Sequence, residues 1–160
     1  MLIREAAADD WPRIWSFWHR IVAAGETYAW DPETSEDDAR ALWLNPAKRV
    51  YVVEDEAGAV VASAYVTPNY GGPAARIANA GFMVDPDQGG RGIGRLLAEH
   101  ILAAAKDDGY RGMVFNAVVE TNPAVRLWTS LGFTILATVP DAFDHPRHGR
   151  VGLHIMYRPL

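Results

Sequence analysis

The stretch "VDPDQGGRGIGRLLAEHILAAAK", residues 84–106, carries the strongest prediction about the fold. Four glycines stand within the six residues from Gly89 to Gly94. From Gly92 onward, apolar residues recur at the spacing of one helix face. These residues are Ile93, Leu96, Leu97, Ile101 and Ala104. The sequence therefore predicts a glycine-rich loop that leads directly into an amphipathic helix.

The glycines before this helix have a physical use. The first turn of a helix has N–H groups without acceptors and a partial positive charge. Glycine lets the backbone approach a ligand closely and adopt a positive φ. Together these properties predict a phosphate-binding loop, with Arg91 and Arg95 adding positive charge at its rim. A plain tight turn is the alternative, but one glycine would be enough for that.

Two common nucleotide-binding motifs do not fit the loop. A dinucleotide fingerprint, G-x-G-x-x-G, would begin at Gly90 and end at Arg95, which is not glycine. A P-loop needs Lys followed by Ser or Thr after its last glycine, whereas Arg95 and Leu96 follow Gly94 here. Both motifs are therefore disfavoured, although a polyphosphate ligand is still predicted.

The composition of the chain narrows its class. The 160 residues suit a single domain, residues 1–160, and 49% hydrophobic with 22% charged residues is typical of soluble globular proteins. The net charge of -5 disfavours a general nucleic-acid binder. The absence of cysteine excludes disulfides, zinc–thiolate sites and a cysteine nucleophile, and it fits a reducing cytoplasm. The apolar stretches are too short to span a bilayer, and "MLIREAAADD" lacks a secretion segment. We therefore expect a soluble cytoplasmic protein that binds neither nucleic acid nor membrane and has no metal site.

The order of predicted elements indicates an α/β (α+β) fold. It runs strand, helix, helix, several strands, helix, strand, helix and two strands, which predicts a mixed sheet with helices on its faces. Residues 77–119 form a strand–helix–strand crossover, so those two strands should be parallel neighbours. Trp11, Trp15 and Trp18 share one face of the first helix. We expect that face to point into the core, with a pocket wall near Gly25 as the alternative.

The glycine loop resembles the acetyl-CoA-binding loop of the GCN5-related N-acetyltransferases (GNAT). That family has V-x-P-x-x-(Gln/Arg)-G-x-G-(Ile/Ala)-G before a leucine-rich helix, and eight positions match: Val84, Pro86, Gly90, Gly92, Ile93, Gly94, Leu96 and Leu97. The usual Gln/Arg position is Gly89, and Gln88 stands one place earlier. The resemblance implies that acetyl-CoA is a cosubstrate. It also implies that the loop binds it through Gln88, Gly89, Gly90, Arg91, Gly92, Ile93, Gly94 and Arg95.

A second segment, "TNPAVRLWTSLGF" at residues 121–133, resembles the family's N-x-x-A-x-x-L-Y-x-x-x-G-F helix. The resemblance implies that Asn122 and Trp128 lie beside the pantetheine arm. Asn122 is one residue closer to Ala124 than usual. Trp128 stands where the family has a tyrosine, and an indole N–H can donate a hydrogen bond but cannot supply a proton as that tyrosine does. "GETYAWDP", residues 25–32, looks most like the phosphinothricin acetyltransferase branch, which acetylates small amines such as amino acids. The implied GNAT fold has about seven strands and about four helices.

The resemblance also implies how the reaction proceeds. The family transfers acetyl directly from the thioester to an amine in a ternary complex. A backbone amide on the strand before the loop binds the thioester oxygen where a bulge splays that strand. By position this amide belongs to Phe82, Met83 or Val84.

The general base is less well defined by sequence. The phosphinothricin branch has a glutamate five residues before the loop valine, and this chain has Asn79 there. Asparagine cannot take a proton at neutral pH, but it can orient a water or the substrate. Glu26 and Glu120 are the remaining candidate acids, with solvated surface carboxylates as the alternative.

Three functions remain open from sequence. The leading one is acetyl transfer to a small amine, and the second is acetylation of a protein or peptide. The third is a CoA-binding sensor without turnover, which Gly89, Asn79 and Trp128 motivate because they replace three usual side chains. "DAFDHPRHGRVGLHIMYRPL", residues 141–160, can supply an edge strand or exchange element to a homodimer.

Overall fold

A computed structural model describes all residues, 1–160, as seven strands and four α-helices. The strands are β1 (Leu2–Glu5), β2 (Arg49–Glu54), β3 (Val60–Pro68), β4 (Ile77–Val84), β5 (Gly112–Val119), β6 (Thr134–His145) and β7 (Gly149–Pro159). The helices are α1 (Trp11–Ala24), α2 (Glu36–Trp43), α3 (Ile93–Asp107) and α4 (Ala124–Ser130). The predicted α/β (α+β) class, element order and GNAT fold are confirmed.

One sheet contains all seven strands, in the order β1-β2-β3-β4-β5-β7-β6. Every pair of neighbours is antiparallel except β4 and β5, which are parallel, as the crossover predicts. These two strands pair only at Ile77–Gly112 and Ala78–Met113. Beyond those pairs they part, and a gap opens in the middle of the sheet.

Each face of the sheet carries its own hydrophobic core. A cluster of 20 buried residues lies between the sheet and α3, and a cluster of 12 buried residues joins α1 and α2 to the opposite face. Trp11 and Trp18 are buried in the second cluster, and Trp15 packs against it. This confirms the expectation that the tryptophan face points into the core.

Local sequence explains where the helices begin and end. Gly25 ends α1 with a φ of +66°, a conformation that disfavours other residues. The Ser35 side chain caps α2 by accepting a hydrogen bond from the Asp38 N–H at 3.2 Å. The buried face of α3 differs slightly from the predicted one, because Leu96 is exposed and Leu102 is buried. None of the helices combines the length and apolar character that crossing a bilayer requires.

Candidate active site

A cavity of about 750 Å³ occupies the gap between β4 and β5, and we call it the cleft. At one end lies the glycine loop with Pro86, Gly89 and Gly94, and at the other end lies the segment Glu26–Trp30 between α1 and α2. β5 and α4 form the remaining wall. A second surface groove of about 820 Å³ beside β1 and α2 contains none of the predicted site residues.

The glycine loop, whose Gly89 and Gly94 line the cleft, contains a row of unpaired amides. The seven N–H groups from Gly89 to Arg95 donate no hydrogen bond within the chain, and the first helical bond runs from Leu96 N–H to Gly92 O at 3.1 Å. Gly90 and Gly92 have φ values of +76° and +74°, and a Cβ on either would meet nothing within 4 Å. Glycine is therefore required there for backbone conformation and not for space.

Charged side chains brace the loop from several directions. The Arg91 guanidinium donates to the Gln88 side-chain oxygen, so one of the two arginines predicted at the rim contacts another predicted loop residue. Arg95 donates to Ser130 Oγ at 2.7 Å and thereby ties α3 to α4. Arg20 of α1 pairs with Asp87 at 3.0 Å. Sequence reasoning missed Arg20, because nothing local connects it to a loop 67 residues away.

Strand β4 runs regularly beside β3, from Ala62–Val84 to Pro68–Ala78 without a register shift. The predicted bulge is therefore absent, and the departure of β5 is what exposes the strand. Asp85 N–H donates to Val61 O, so odd-numbered residues bond to β3, and alternation turns the main chains of Phe82 and Val84 toward the cleft. The main chain of Met83 faces β3 by the same rule, so the register does not support its prediction as an amide donor.

Tyr28 forms hydrogen bonds with the main chain of Phe82 on the cleft side. Its hydroxyl donates to Phe82 O at 2.7 Å and accepts from Phe82 N–H at 2.9 Å. Burial raises the pKa of the Tyr28 hydroxyl well above its usual value, so it stays protonated. Sequence reasoning missed Tyr28, because its partner is 54 residues away.

The two candidate acids have different surroundings. Glu26 lines the cleft and forms an ion pair with Arg147 at 3.1 Å. Glu120 does not line the cleft, and its Oε1 accepts a hydrogen bond from Gly152 N–H at 2.6 Å. That bond anchors the end of β5 to β7. The position of Glu120 therefore does not support its prediction as a base. Its carboxylate instead has a structural role in the contact between β5 and β7.

Three asparagines line the cleft: Asn79, Asn116 and Asn122. Asn79 Oδ1 accepts from Ala80 N–H at 2.8 Å, and Asn122 Oδ1 accepts from Ala124 N–H at 2.9 Å at the start of α4. In each of these two residues the carbonyl oxygen is engaged by the backbone, and the side-chain NH₂ is left to meet a ligand.

Trp128 forms part of the wall on the α4 side. It is buried, and its ring lies 4.8 Å from the rings of both Phe82 and Phe115, between centroids. The indole N–H makes no hydrogen bond within the chain, yet it is not among the buried unpaired atoms. Trp128 therefore packs into the wall of the cleft. It offers an indole N–H as a hydrogen-bond donor there, where a tyrosine would offer a hydroxyl.

The sequence that builds this cleft matches a known family. A model of the family described as "Acetyltransferase (GNAT) family" matches residues 8–133. The chain belongs to the GNAT acetyltransferase family. The resemblance seen in its loop and its α4 segment is thereby confirmed.

Relatives of this GNAT protein span nearly all of its length. A structure of a GCN5-related N-acetyltransferase from Kribbella flavida is 50% identical, covers 99% of this chain and 97% of that one, and has a TM-score of 0.95. The structure of yncA from Salmonella typhimurium, solved with its cofactor acetyl-CoA, is 27% identical, covers 100% and 94% of the two chains, and has a TM-score of 0.82. A phosphinothricin acetyltransferase from Sinorhizobium meliloti, 24% identical over 99% of this chain and 88% of that one, shares the fold at a TM-score of 0.86.

The chain is also similar in sequence to a named acetyltransferase. N-acetyltransferase aca1 of Schizosaccharomyces pombe is 31% identical over an alignment of 137 residues, and the alignment covers 76% of this chain. The chain spans 66% of the length of that relative.

Proposed function

We propose that this GNAT protein is an acetyl-CoA-dependent N-acetyltransferase that moves an acetyl group directly to the amine of a small molecule. The observation that carries the proposal is the row of seven unpaired amides, Gly89 to Arg95, at one end of a cleft that crosses the sheet. Such a row suits a diphosphate. The acetyl-CoA held by yncA, on the same fold, supports this cosubstrate.

In this proposal the cofactor extends from the loop into the gap. The diphosphate accepts hydrogen bonds from the loop amides, with Gln88 and Arg91 at the rim. The pantetheine arm pairs with the cleft-facing main chain of β4 near Val84, as an added strand would. Asn122 and Trp128 lie on its other side, on the wall formed by α4.

The remaining residues divide the chemistry among them. The Phe82 N–H donates a hydrogen bond to the thioester oxygen and stabilises the negative charge that develops on that oxygen. Glu26 removes a proton from the acceptor, directly or through one water, and Asn79 orients that water or the acceptor. The new C–N bond forms as the C–S bond breaks, and the thiolate takes a proton from solvent. Because the chain has no cysteine, no acyl-cysteine intermediate can form.

The shape of the acceptor end favours a small molecule over a protein. The rings of Tyr28, Trp30 and Tyr65 line that end, and Tyr28 and Trp30 stack at 4.8 Å between centroids. A wall of packed rings encloses a small ligand better than it admits a chain end. With the resemblance of "GETYAWDP" to the phosphinothricin branch, this supports amino acids and their analogues as the acceptor class.

Mixing the protein with acetyl-CoA and amines, and following thiol release, tests the proposal. The panel contains free amino acids and their analogues in one set, and peptides with free N-termini or lysines in the other. We expect release with at least one free amino acid or analogue. Release with peptides alone would favour a protein-modifying enzyme, and acetyl-CoA binding without release on any amine would favour a sensor.

The proposal has three further parts. The chain acts as one domain, which the single sheet shared by its first and last strands supports. It acts in the cytoplasm, a location that the lack of cysteine fits. It also forms a homodimer along β6, the outer strand of the sheet, where Ile135, Leu136 and Val139 are 46%, 60% and 49% exposed.

A further inference from the structure

The hydroxyl of Tyr28 is hydrogen-bonded to both main-chain groups of Phe82, the N–H and the C=O, on the side that faces the cleft. It has one hydrogen, which it donates to Phe82 O at 2.7 Å, and its oxygen accepts the Phe82 N–H at 2.9 Å. Under the proposed function, the same N–H donates a hydrogen bond to the thioester oxygen. The phenolic oxygen and the thioester oxygen therefore compete for one donor.

The ring of Tyr28 is held by the wall of the acceptor end. It stacks on Trp30 at 4.8 Å and 18°, and its edge meets Trp43 at 6.4 Å. Trp43 is fully buried and donates from its indole to Ser63 Oγ at 2.9 Å, so this side of the ring packs against the core. Tyr28 also lies two residues after Glu26, on the segment that lines the acceptor end. A displacement of the hydroxyl therefore shifts the surface that meets the amine.

We propose that Tyr28 is a positioning residue whose hydroxyl takes the place of the thioester oxygen in the empty enzyme and is displaced from Phe82 N–H by acetyl-CoA. The inference rests on the proposed function and deepens it. Free CoA ends in a thiol and has no oxygen to place on that amide, so it leaves Tyr28 where it is. The hydroxyl thus weakens acetyl-CoA binding relative to CoA binding, and it links loading of the cosubstrate to the shape of the acceptor end.

Replacing Tyr28 with phenylalanine tests this inference, because Tyr28→Phe keeps the stacked ring and removes only the oxygen. Calorimetric titration measures the Kd of each protein for acetyl-CoA and for CoA. We expect acetyl-CoA to bind Tyr28→Phe roughly 5- to 10-fold more tightly than it binds the unchanged protein, since the hydrogen bonds of the hydroxyl no longer have to be broken. The Kd for CoA should stay the same.

Tyr51→Phe is the matched control. The Tyr51 hydroxyl is also buried but has no hydrogen-bond partner and lies on β2, away from the cleft. Its removal should leave the ratio of the two Kd values unchanged. On the unchanged protein, carbon-13 labelled tyrosine gives an independent measurement, in which the Tyr28 ring signal should move with acetyl-CoA and not with CoA.

A ratio of Kd values that is unchanged or reversed in Tyr28→Phe would overturn the inference, even if the variant melts at a lower temperature. So would a Tyr28 signal that moves equally with both ligands. If the unchanged protein binds neither acetyl-CoA nor CoA, the proposed function itself fails and this inference fails with it.

Discussion

Single glycines shape the loop through backbone conformation. Gly90 and Gly92 hold positive φ values in open space, so their substitution strains the backbone without a clash. Gly58, in the turn between β2 and β3, has a φ of +79° and the same open surroundings, but it lies outside the cleft. The chain thus contains a natural pair that separates backbone strain from ligand binding.

We expect Gly92→Ala and Gly58→Ala each to lower the free energy of unfolding by about 1 kcal/mol, because alanine disfavours the left-handed region. Only Gly92→Ala should weaken acetyl-CoA binding, since it alone disturbs the row of amides. Urea unfolding measures the first quantity and calorimetric titration the second. Equal acetyl-CoA affinity in the two variants would contradict the assignment of the loop to the diphosphate.

Glu26 is the acid that the structure places at the cleft. We expect Glu26→Gln to lower kcat roughly 100-fold or more, as the loss of a general base does, and to leave the KM for acetyl-CoA nearly unchanged. Glu33→Gln is the control, because Glu33 is exposed and lies outside the cleft in the same connection between α1 and α2. A loss in Glu26→Gln no larger than in Glu33→Gln would assign proton removal to another group.

Among the elements, β1 and α1 are joined by a buried carboxylate. Asp10 is fully buried and accepts from Arg4 at 2.7 Å, from Ala7 N–H at 2.7 Å, and from Arg13. The hydrogen bond from Arg4 is the largest cause that lowers the pKa of Asp10 from 3.8 to about 2. The ionised carboxylate therefore stabilises the fold above the unfolded-state pKa, and this contribution is lost as the pH falls from about 4 to about 2.

We expect Asp10→Asn to lower the free energy of unfolding by about 2 kcal/mol at pH 7. The difference between the variant and the unchanged protein should shrink below pH 4, because protonated Asp10 then resembles asparagine. Urea unfolding of both proteins between pH 7 and pH 3 provides the comparison. A difference that stays constant over this range would mean that Asp10 does not titrate as its contacts indicate.

The whole molecule leaves one long edge of its sheet uncovered. β6 pairs with β7 on one side only, and most of its 12 residues are exposed. An exposed outer strand with apolar side chains tends to pair with another strand. This edge is the surface along which we propose that two copies of the chain meet.

Light scattering after gel filtration tests the homodimer. We expect the unchanged protein to elute as a dimer and Leu136→Glu to elute as a monomer, because a charge on the outer strand opposes pairing. Asp9→Glu, on the far side of the sheet, should remain dimeric. A monomer in the unchanged protein at micromolar concentration would contradict the proposal.

How much could be predicted from sequence depends on the range of the interaction. The glycine loop and the start of α3 were predicted, because allowed φ values and the apolar spacing of a helix act within a few residues. The parallel pair β4–β5 followed from its crossover. The bulge and Met83 as an amide donor were carried over by position from the family, and Glu120 was one of the two remaining candidate acids. The strand register and the contact of Glu120 with Gly152 do not support these three predictions.

The sequence by itself determined the element order, the row of loop amides and the family, since these follow from local patterns and short motifs. Only the tertiary structure decided which groups meet in the cleft. Tyr28 meets Phe82 across 54 residues, and Glu120 turns to Gly152 across 32. Hydrogen bonds form between atoms about 3 Å apart in space, and the packing of the sheet and its helices sets those distances, not the separation along the chain.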